Sequence, residues 1–284
     1  MPDVDLISIV ITTYNRSEAL VPVLVALSAQ TDRYFEVVVA DDGSKSEHQS
    51  AIESTASRLG LPVTHVWHPD VGFTASRVRN LGVAASQGSY IVLLDGDCVP
   101  DIDFVRQHRA LAQSGYFVNG SRVLLSEKLS RSVIAGKVRV DGRNFLFWLS
   151  QRVSGDTNKL AAQWRLPDWA IRNEAKFRWK GIRSCNMGVW RSDYEAINGF
   201  DESFVGWGHE DADFVLRLHN AGVVRKNGFF ATEVYHLWHH EANRGSESQN
   251  AATVRQRVQS GQVLPTIGYS ESRHAKDVVV SRWG

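Results

Sequence analysis

The first hundred residues alternate between two hydrophobic periods, and this restricts the chain to very few architectures. Leu6 to Ile11, Phe35 to Ala40, Val63 to Trp67 and Tyr90 to Leu94 are short, β-branched apolar runs that read as buried strands. Between them, Ser17 to Gln30, Ser44 to Leu59 and Thr74 to Ala85 read as helices. Ser17 is the expected cap of the first, with Glu18 in its first turn, and Ser44-Lys-Ser-Glu47 has the form of a capping box for the second. The β-α-β-α-β-α-β order predicts an α/β fold with a mostly parallel, Rossmann-like sheet covered by helices. Such sheets bind ligands beyond the carboxyl ends of their strands. Three polar segments fall there: Thr12-Thr-Tyr-Asn-Arg16, Asp41-Asp-Gly-Ser44 and Asp95-Gly-Asp97.

Past residue 100 the alternation is lost. Asp103 to Ser114 reads as a helix, Ile182 to Trp190 contains a strand, a helix runs to Asn220, and Val223-Val224 marks another strand. From Glu241 the chain is polar and weakly patterned, and an extended or mobile tail is expected over 246–284. Net charge is +1, so whole-molecule charge points to no nucleic-acid partner. The balance hides an asymmetry: Arg122 to Arg183 holds 14 Lys/Arg against 5 Asp/Glu, interleaved with Trp148, Trp164, Trp169 and Trp179. Only Cys98 and Cys185 are present, which suits a reduced, cytoplasmic setting. No signal-peptide pattern and no span of ~20 apolar residues is seen, so peripheral contact with the inner face of a membrane is the only membrane association expected.

Four Asp-x-Asp pairs occur, but only Asp95-Gly-Asp97 follows a buried strand on the ligand edge, where two carboxylates suit a divalent cation and a nucleotide diphosphate. Asp41-Asp42 either closes a turn or accepts a nucleobase N–H. His236, His239 and His240 cluster; imidazole suits Mn²⁺ better than Ca²⁺, and the spacing lacks a zinc pattern. Arg77 and Arg79, near a helix start, suit a diphosphate, although an exposed helix face explains one of them as well. Finally, Gly206-Trp-Gly-His-Glu-Asp211 sets an aromatic plate between two glycines beside an acidic helix start. Helix-dipole stabilisation explains one carboxylate there; sugar binding and proton acceptance explain the whole segment.

Taken in order, these motifs resemble inverting glycosyltransferases of the GT-A fold and family 2 type. The N-terminal marks are Ser8 to Arg16, Val38 to Ser44, Val78 to Gly82 and Tyr90 to Asp97. The C-terminal half is similar to the galactosyltransferase-type module of animal β-1,4-galactosyltransferases and bacterial chondroitin polymerases, through Ser184 to Trp190, Asn198 to Phe204 and Gly206 to Asp211. The resemblance implies a nucleotide-sugar-binding half over 1–100 and an acceptor- and metal-binding half over 101–245. It implies that Thr13, Asn15 and Asp42 hold base and ribose, that Arg77 or Arg79 lies near the diphosphate, that Asp95 faces ribose or metal, and that Asp97 binds Mn²⁺ (or Mg²⁺). Asp211 takes the position of the catalytic base, Glu210 and Trp207 those of sugar contacts, and His239 that of a metal ligand, with His236 a possible second. His209 departs from the Gly of the animal relatives, and His236 from their Met.

The implied reaction is transfer of a hexose or N-acetylhexosamine from a UDP-linked donor to a glycan or lipid-linked hydroxyl, with inversion. The basic stretch implies either a solvated rim or an anionic acceptor, and Asn144 to Leu149 has the composition of an interfacial anchor. The alternatives are a sugar nucleotidyltransferase and a non-catalytic nucleotide-sugar or glycan-binding protein.

Overall fold

The structure, a computed structural model, describes residues 4–160, 165–179, 181–204, 206, 208–240 and 247–284. Strands β1 (Ile7–Thr13), β2 (Phe35–Asp41), β3 (Val63–Trp67) and β4 (Tyr90–Asp95) are parallel and lie side by side in the order β3-β2-β1-β4. Helices α1 (Ser17–Ser28), α2 (Ser46–Leu59) and α3 (Ala75–Ala84) connect them. Along β1 the side chains alternate between two cores: Ile7, Ile9 and Ile11 join Leu20, Val23 and Leu24 of α1, whereas Val10 joins Val78 and Leu81 of α3. Each fully buried aliphatic side chain contributes roughly 1.5–3 kcal/mol. Gly82 lets α3 lie close on the sheet, since a Cβ there would stand 2.5 Å from Val10 Cγ1.

The chain then forms β5 (Cys98–Pro100), α4 (Phe104–Leu111), β6 (Tyr116–Asn119), β7 (Ser121–Leu124), α5 (Glu127–Ile134), α6 (Phe145–Val153) and β8 (Asn173–Glu174). After these come β9 (Asn186–Trp190), α7 (Arg191–Ala196), α8 (Glu210–Asn220), β10 (Val224–Asn227) and β11 (Glu233–His236). β9 inserts antiparallel between β4 and β6, and β10 continues the sheet parallel to β6. A second sheet, ordered β5-β11-β7, stands apart from the first.

The C-terminal residues correct the expectation of an extended or mobile tail. They form α9 (Glu247–Ser260), α10 (Tyr269–Ser272) and β12 (Val279–Trp283), and β12 pairs antiparallel with β3 as an edge strand of the main sheet. Trp283 stacks on His65 at 4.3 Å. Arg257 of α9 reaches Asp201 and Asp213 at 2.7 Å each, tying α9 to α8. These anchors are buried ion pairs and one stacked ring, which leave little hydrophobic periodicity to read.

Two expected caps also differ. Ser17 lies inside α1, with Arg16 at the cap, and its hydroxyl meets His48 Nδ1 at 2.9 Å. α2 starts at Ser46 with Lys45 as its cap, and the Ser44 hydroxyl accepts the Asn15 N–H instead.

Candidate active site

The strand ends are level. Register pairs Thr13 with Asp41 and Thr12 with Asp95, so the three polar segments emerge side by side. They open on a cavity of about 1030 Å³, which α8 and the second sheet close from the other side. Thr13, Asp42, Arg79, Asp95, Asp97, His209, Glu210, Asp211, His236 and His239 line this cavity; Asn15 and Arg77 do not.

At the nucleotide edge the two neighbouring aspartates divide their work. Asp41 is fully buried, accepts the Ser44 N–H at 2.8 Å and meets His65 at 2.9 Å, which fixes the turn. Asp42 turns to the cavity, where it accepts the Thr74 N–H at 3.0 Å and stands 3.0 Å from His68 Nε2. Asn15, with φ at 48°, exchanges hydrogen bonds with the next turn: its backbone N–H goes to the Ser44 hydroxyl and its side-chain Oδ1 accepts the Lys45 N–H. Its side chain therefore locks two turns together instead of facing a ligand. Arg77 is spent on Asp277, its Nη2 meeting both carboxylate oxygens at 2.7 and 2.8 Å, so of the two arginines only Arg79 reaches the site. Arg79 bridges Asp95 at 3.4 Å and Glu210 at 3.3 Å. Burial opposes its charge, but Asp95, Glu210 and Asp211 outweigh that and keep it protonated.

Gly96 brings the next segment against β1: its N–H donates to the Thr12 carbonyl at 2.8 Å, and a Cβ would sit 2.8 Å from that oxygen. Asp97 is thereby aimed at the second sheet. Its carboxylate lies 3.3 Å from His239 Nε2, 3.7 Å from His236 Nε2 and 3.0 Å from Arg16 Nη1. Pairing of β11 with β5 places His236 opposite Cys98. Asp97, Cys98 and His236 offer ligand atoms within 4.8 Å of one another. Burial, reinforced by Cys185 and the nearby aspartates, pushes the Cys98 thiol up and keeps it protonated, so the oxygen and imidazole donors are the ones fitted to a divalent cation. Burial lowers the His236 imidazole, with Asp97 opposing, and a neutral ring is the ligating form. His239 Nδ1 lies 2.7 Å from the His240 carbonyl, which orients the ring with Nε2 toward Asp97.

The acidic pair opens α8. His209 caps it in the left-handed region at φ 68°, after Gly206 and Gly208, also at positive φ. The His209 ring lies 5.7 Å from that of Trp179. Glu210 is held by Arg79, whereas Asp211 faces the cavity and accepts the Ser184 N–H. Burial first, then the Glu210 charge, pushes the Asp211 carboxyl up to about 7; Arg79 and the N–H groups of Ala212 and Ser184 work against the shift. Trp207, like Trp164, lies outside the described residues.

Several contributors escape a sequence reading. Arg16 meets Asp97 across 81 positions, Ser184 supports Asp211, and Asn250 of α9 donates to the Gly208 carbonyl at 2.9 Å, steadying the glycine segment. Arg16 and Ser184 stand inside motifs visible in the sequence; Asn250 has no such signal.

Residues 8–175 match the family model for glycosyl transferase family 2, and residues 169–240 match that described as the N-terminal domain of galactosyltransferase. Among curated relatives, chondroitin synthase of Escherichia coli is 27% identical over 87% of this chain and 36% of its own length. Validoxylamine A glucosyltransferase of Streptomyces hygroscopicus is 28% identical over 86% of this chain and 58% of its own. The chain thus spans about a third to somewhat over half of these relatives. The S. aureus TarS structure in complex with UDP-GlcNAc superposes with a TM-score of 0.60 at 14% identity, over 94% of this chain and 69% of that one, which shows a shared GT-A fold.

Proposed function

Because the chain belongs to glycosyl transferase family 2, we propose that it is a metal-dependent, inverting transferase moving a hexose or N-acetylhexosamine from UDP to a glycan hydroxyl. The observation that carries this reading is one cavity lined by Asp42, by Asp97 with His236 and His239, and by Asp211 at the start of α8. The solved relative with UDP-GlcNAc supports a UDP-linked donor.

In the proposed reaction the acceptor oxygen attacks the anomeric carbon from the Asp211 side. The bond from that carbon to the diphosphate oxygen breaks, UDP departs, and the hydroxyl proton passes to Asp211. The hydroxyl becomes acidic only as the new bond forms, so the position of Asp211 matters more than its strength as a base. A divalent cation held by Asp97, His239 and His236 would supply charge neutralisation for the diphosphate. Arg79 holds Glu210 and Asp95 in place from below.

The test is a panel of nucleotide sugars incubated with Mn²⁺ and read by nucleoside diphosphate release. Release of UDP from one UDP-sugar, faster with added glycan acceptors, is the expected result. Formation of pyrophosphate from UTP and a sugar 1-phosphate instead would establish nucleotidyl transfer.

A second surface bears on location. On α6, Leu146, Leu149 and Val153 share one exposed face, flanked by the exposed Arg143 and Arg152, while Trp148 anchors the helix from behind by stacking on Tyr235 at 4.4 Å. An apolar stripe between cations fits an anionic bilayer and supports peripheral contact with the inner face of a membrane. Co-sedimentation with phosphatidylserine vesicles at low salt, reduced severalfold by Leu146→Glu, is expected; equal recovery without vesicles removes the proposal.

A further inference from the structure

Several of the cations between Arg122 and Arg183 are engaged by partners. Arg131 pairs with Glu127, Arg139 with Asp141, and Arg165 with both Asp101 and Asp103. Arg172 is fully buried and donates to four backbone carbonyls. Arg122 and Arg183 differ. Both line the main cavity, and both also line a smaller extension of about 190 Å³ that opens from it. Neither has a carboxylate within ion-pair distance among the described residues. The polar contact of Arg122 is Cys185 Sγ at 3.8 Å. Lys159, on the wall of the extension, is already engaged by Ser121 at 2.7 Å and Glu233 at 3.6 Å.

Arg122 is half-buried and Arg183 exposed on one cavity wall; burial, then the Arg122 charge, pushes Arg183 down, with Cys185 and Asp211 opposing. An oxyanion between them would engage both, through the forked donors that arginine presents. The place of the extension identifies what carries that anion. Asn119, Ser121 and Asn227 on its wall belong to β6, β7 and β10. In the main sheet β6 and β10 lie across β4 and β9 from β1, β2 and β3, hence away from Asp42 and the nucleotide edge. Moreover, Arg183 immediately precedes Ser184, whose N–H holds Asp211.

We infer that Arg122 and Arg183 form a subsite for an oxyanion, carboxylate or phosphate, carried by the acceptor saccharide. The anion at Arg183 sets the ring so that a hydroxyl of the same or the adjoining sugar meets Asp211. This deepens the proposed transferase function and rests on it.

The test uses the full chain saturated with UDP and Mn²⁺, so that the diphosphate position is filled. Affinities are then measured by ligand-observed NMR for methyl β-D-glucopyranoside, methyl β-D-glucuronide and methyl β-D-glucopyranoside 6-phosphate. At least one anionic glycoside is expected to bind about tenfold or more tightly than the neutral one. A preference for the glucuronide assigns a carboxylate acceptor, and a preference for the phosphate a phosphorylated one. The preference should vanish in Arg122→Ala/Arg183→Ala and reverse in Arg183→Glu, whose changed side chain is exposed and leaves the core untouched. Equal affinities in the parent protein, or a preference that survives the double substitution, overturn the inference while the transferase reading stands. Failure of UDP with Mn²⁺ to bind at all overturns that reading, and the inference with it.

Discussion

Asp211→Asn is expected to lower kcat by on the order of 10³-fold while UDP and Mn²⁺ still bind and the protein becomes more stable at pH 8. Loss of activity follows from removing the proton acceptor; the gain in stability follows from the same environment. The folded carboxyl sits at about 7, against 3.8 as its ordinary value, because burial and Glu210 disfavour its charge. Between those two values the folded chain keeps a proton that the unfolded chain has released. Stability therefore falls as pH rises from about 4 to about 7 and is level above. Asn carries no charge and avoids that cost. The full gap would correspond to roughly 4 kcal/mol, and access of the half-buried carboxyl to cavity water reduces it to about 1–2 kcal/mol. Thermal melts of the two proteins should coincide near pH 4 and separate at pH 8 with the variant higher. The parent enzyme should show kcat/KM rising with pH through about 7, and Glu210→Gln should move that limb to lower pH by removing the second cause of the shift. Near-normal turnover in Asp211→Asn, or a lower melting temperature at pH 8, would sink the assignment.

How much of this was legible in the sequence depends on the kind of interaction involved. β1 to β4 declared themselves because each is a short apolar run punctuated by turn residues. The strands extend one or two residues beyond the apolar runs, to Thr13, Asp41 and Asp95, because polar residues at level strand ends keep the ladder and still face the cavity. β9 was harder: it enters between β4 and β6 antiparallel, and nothing local in Asn186 to Trp190 specifies that neighbour. α9 and β12 were missed outright. α9 is held by Arg257 against Asp201 and Asp213 and by Val254 in a small apolar cluster, so two buried hydrophobes, Ala251 and Val254, and long-range ion pairs replace a periodic face. The same limit governed the site. Arg77 and Arg79 stand two positions apart on one helix, and only the place of Asp277 decides which of them is removed from the cavity. Asn15 belongs to a recognisable motif, yet the partner it locks, Ser44, lies on another turn.

His239→Ala is expected to raise the Mn²⁺ concentration for half-maximal binding by at least about tenfold, and Asp97→Asn to remove metal-dependent activity. The carboxylate and the two imidazoles face one another across the cavity wall. An Asp97 oxygen and His239 Nε2, oriented by the Nδ1 contact with His240, stand 3.3 Å apart, and His236 approaches the other oxygen at 3.7 Å. A hard carboxylate with two imidazoles favours Mn²⁺ over Ca²⁺, so Ca²⁺ should compete weakly. His236→Ala should have a smaller effect than His239→Ala, because its ring is farther from the carboxylate and is aligned chiefly by β-sheet register. Electron paramagnetic resonance of bound Mn²⁺ in the presence of UDP reads these changes without requiring turnover. Arg16 sharpens the test: its guanidinium meets the same Asp97 oxygen at 3.0 Å and competes with a metal for that charge. Arg16→Ala should therefore tighten Mn²⁺ in the absence of UDP, the opposite sign to His239→Ala. Metal titrations unchanged in both variants would place the cation elsewhere in the cavity.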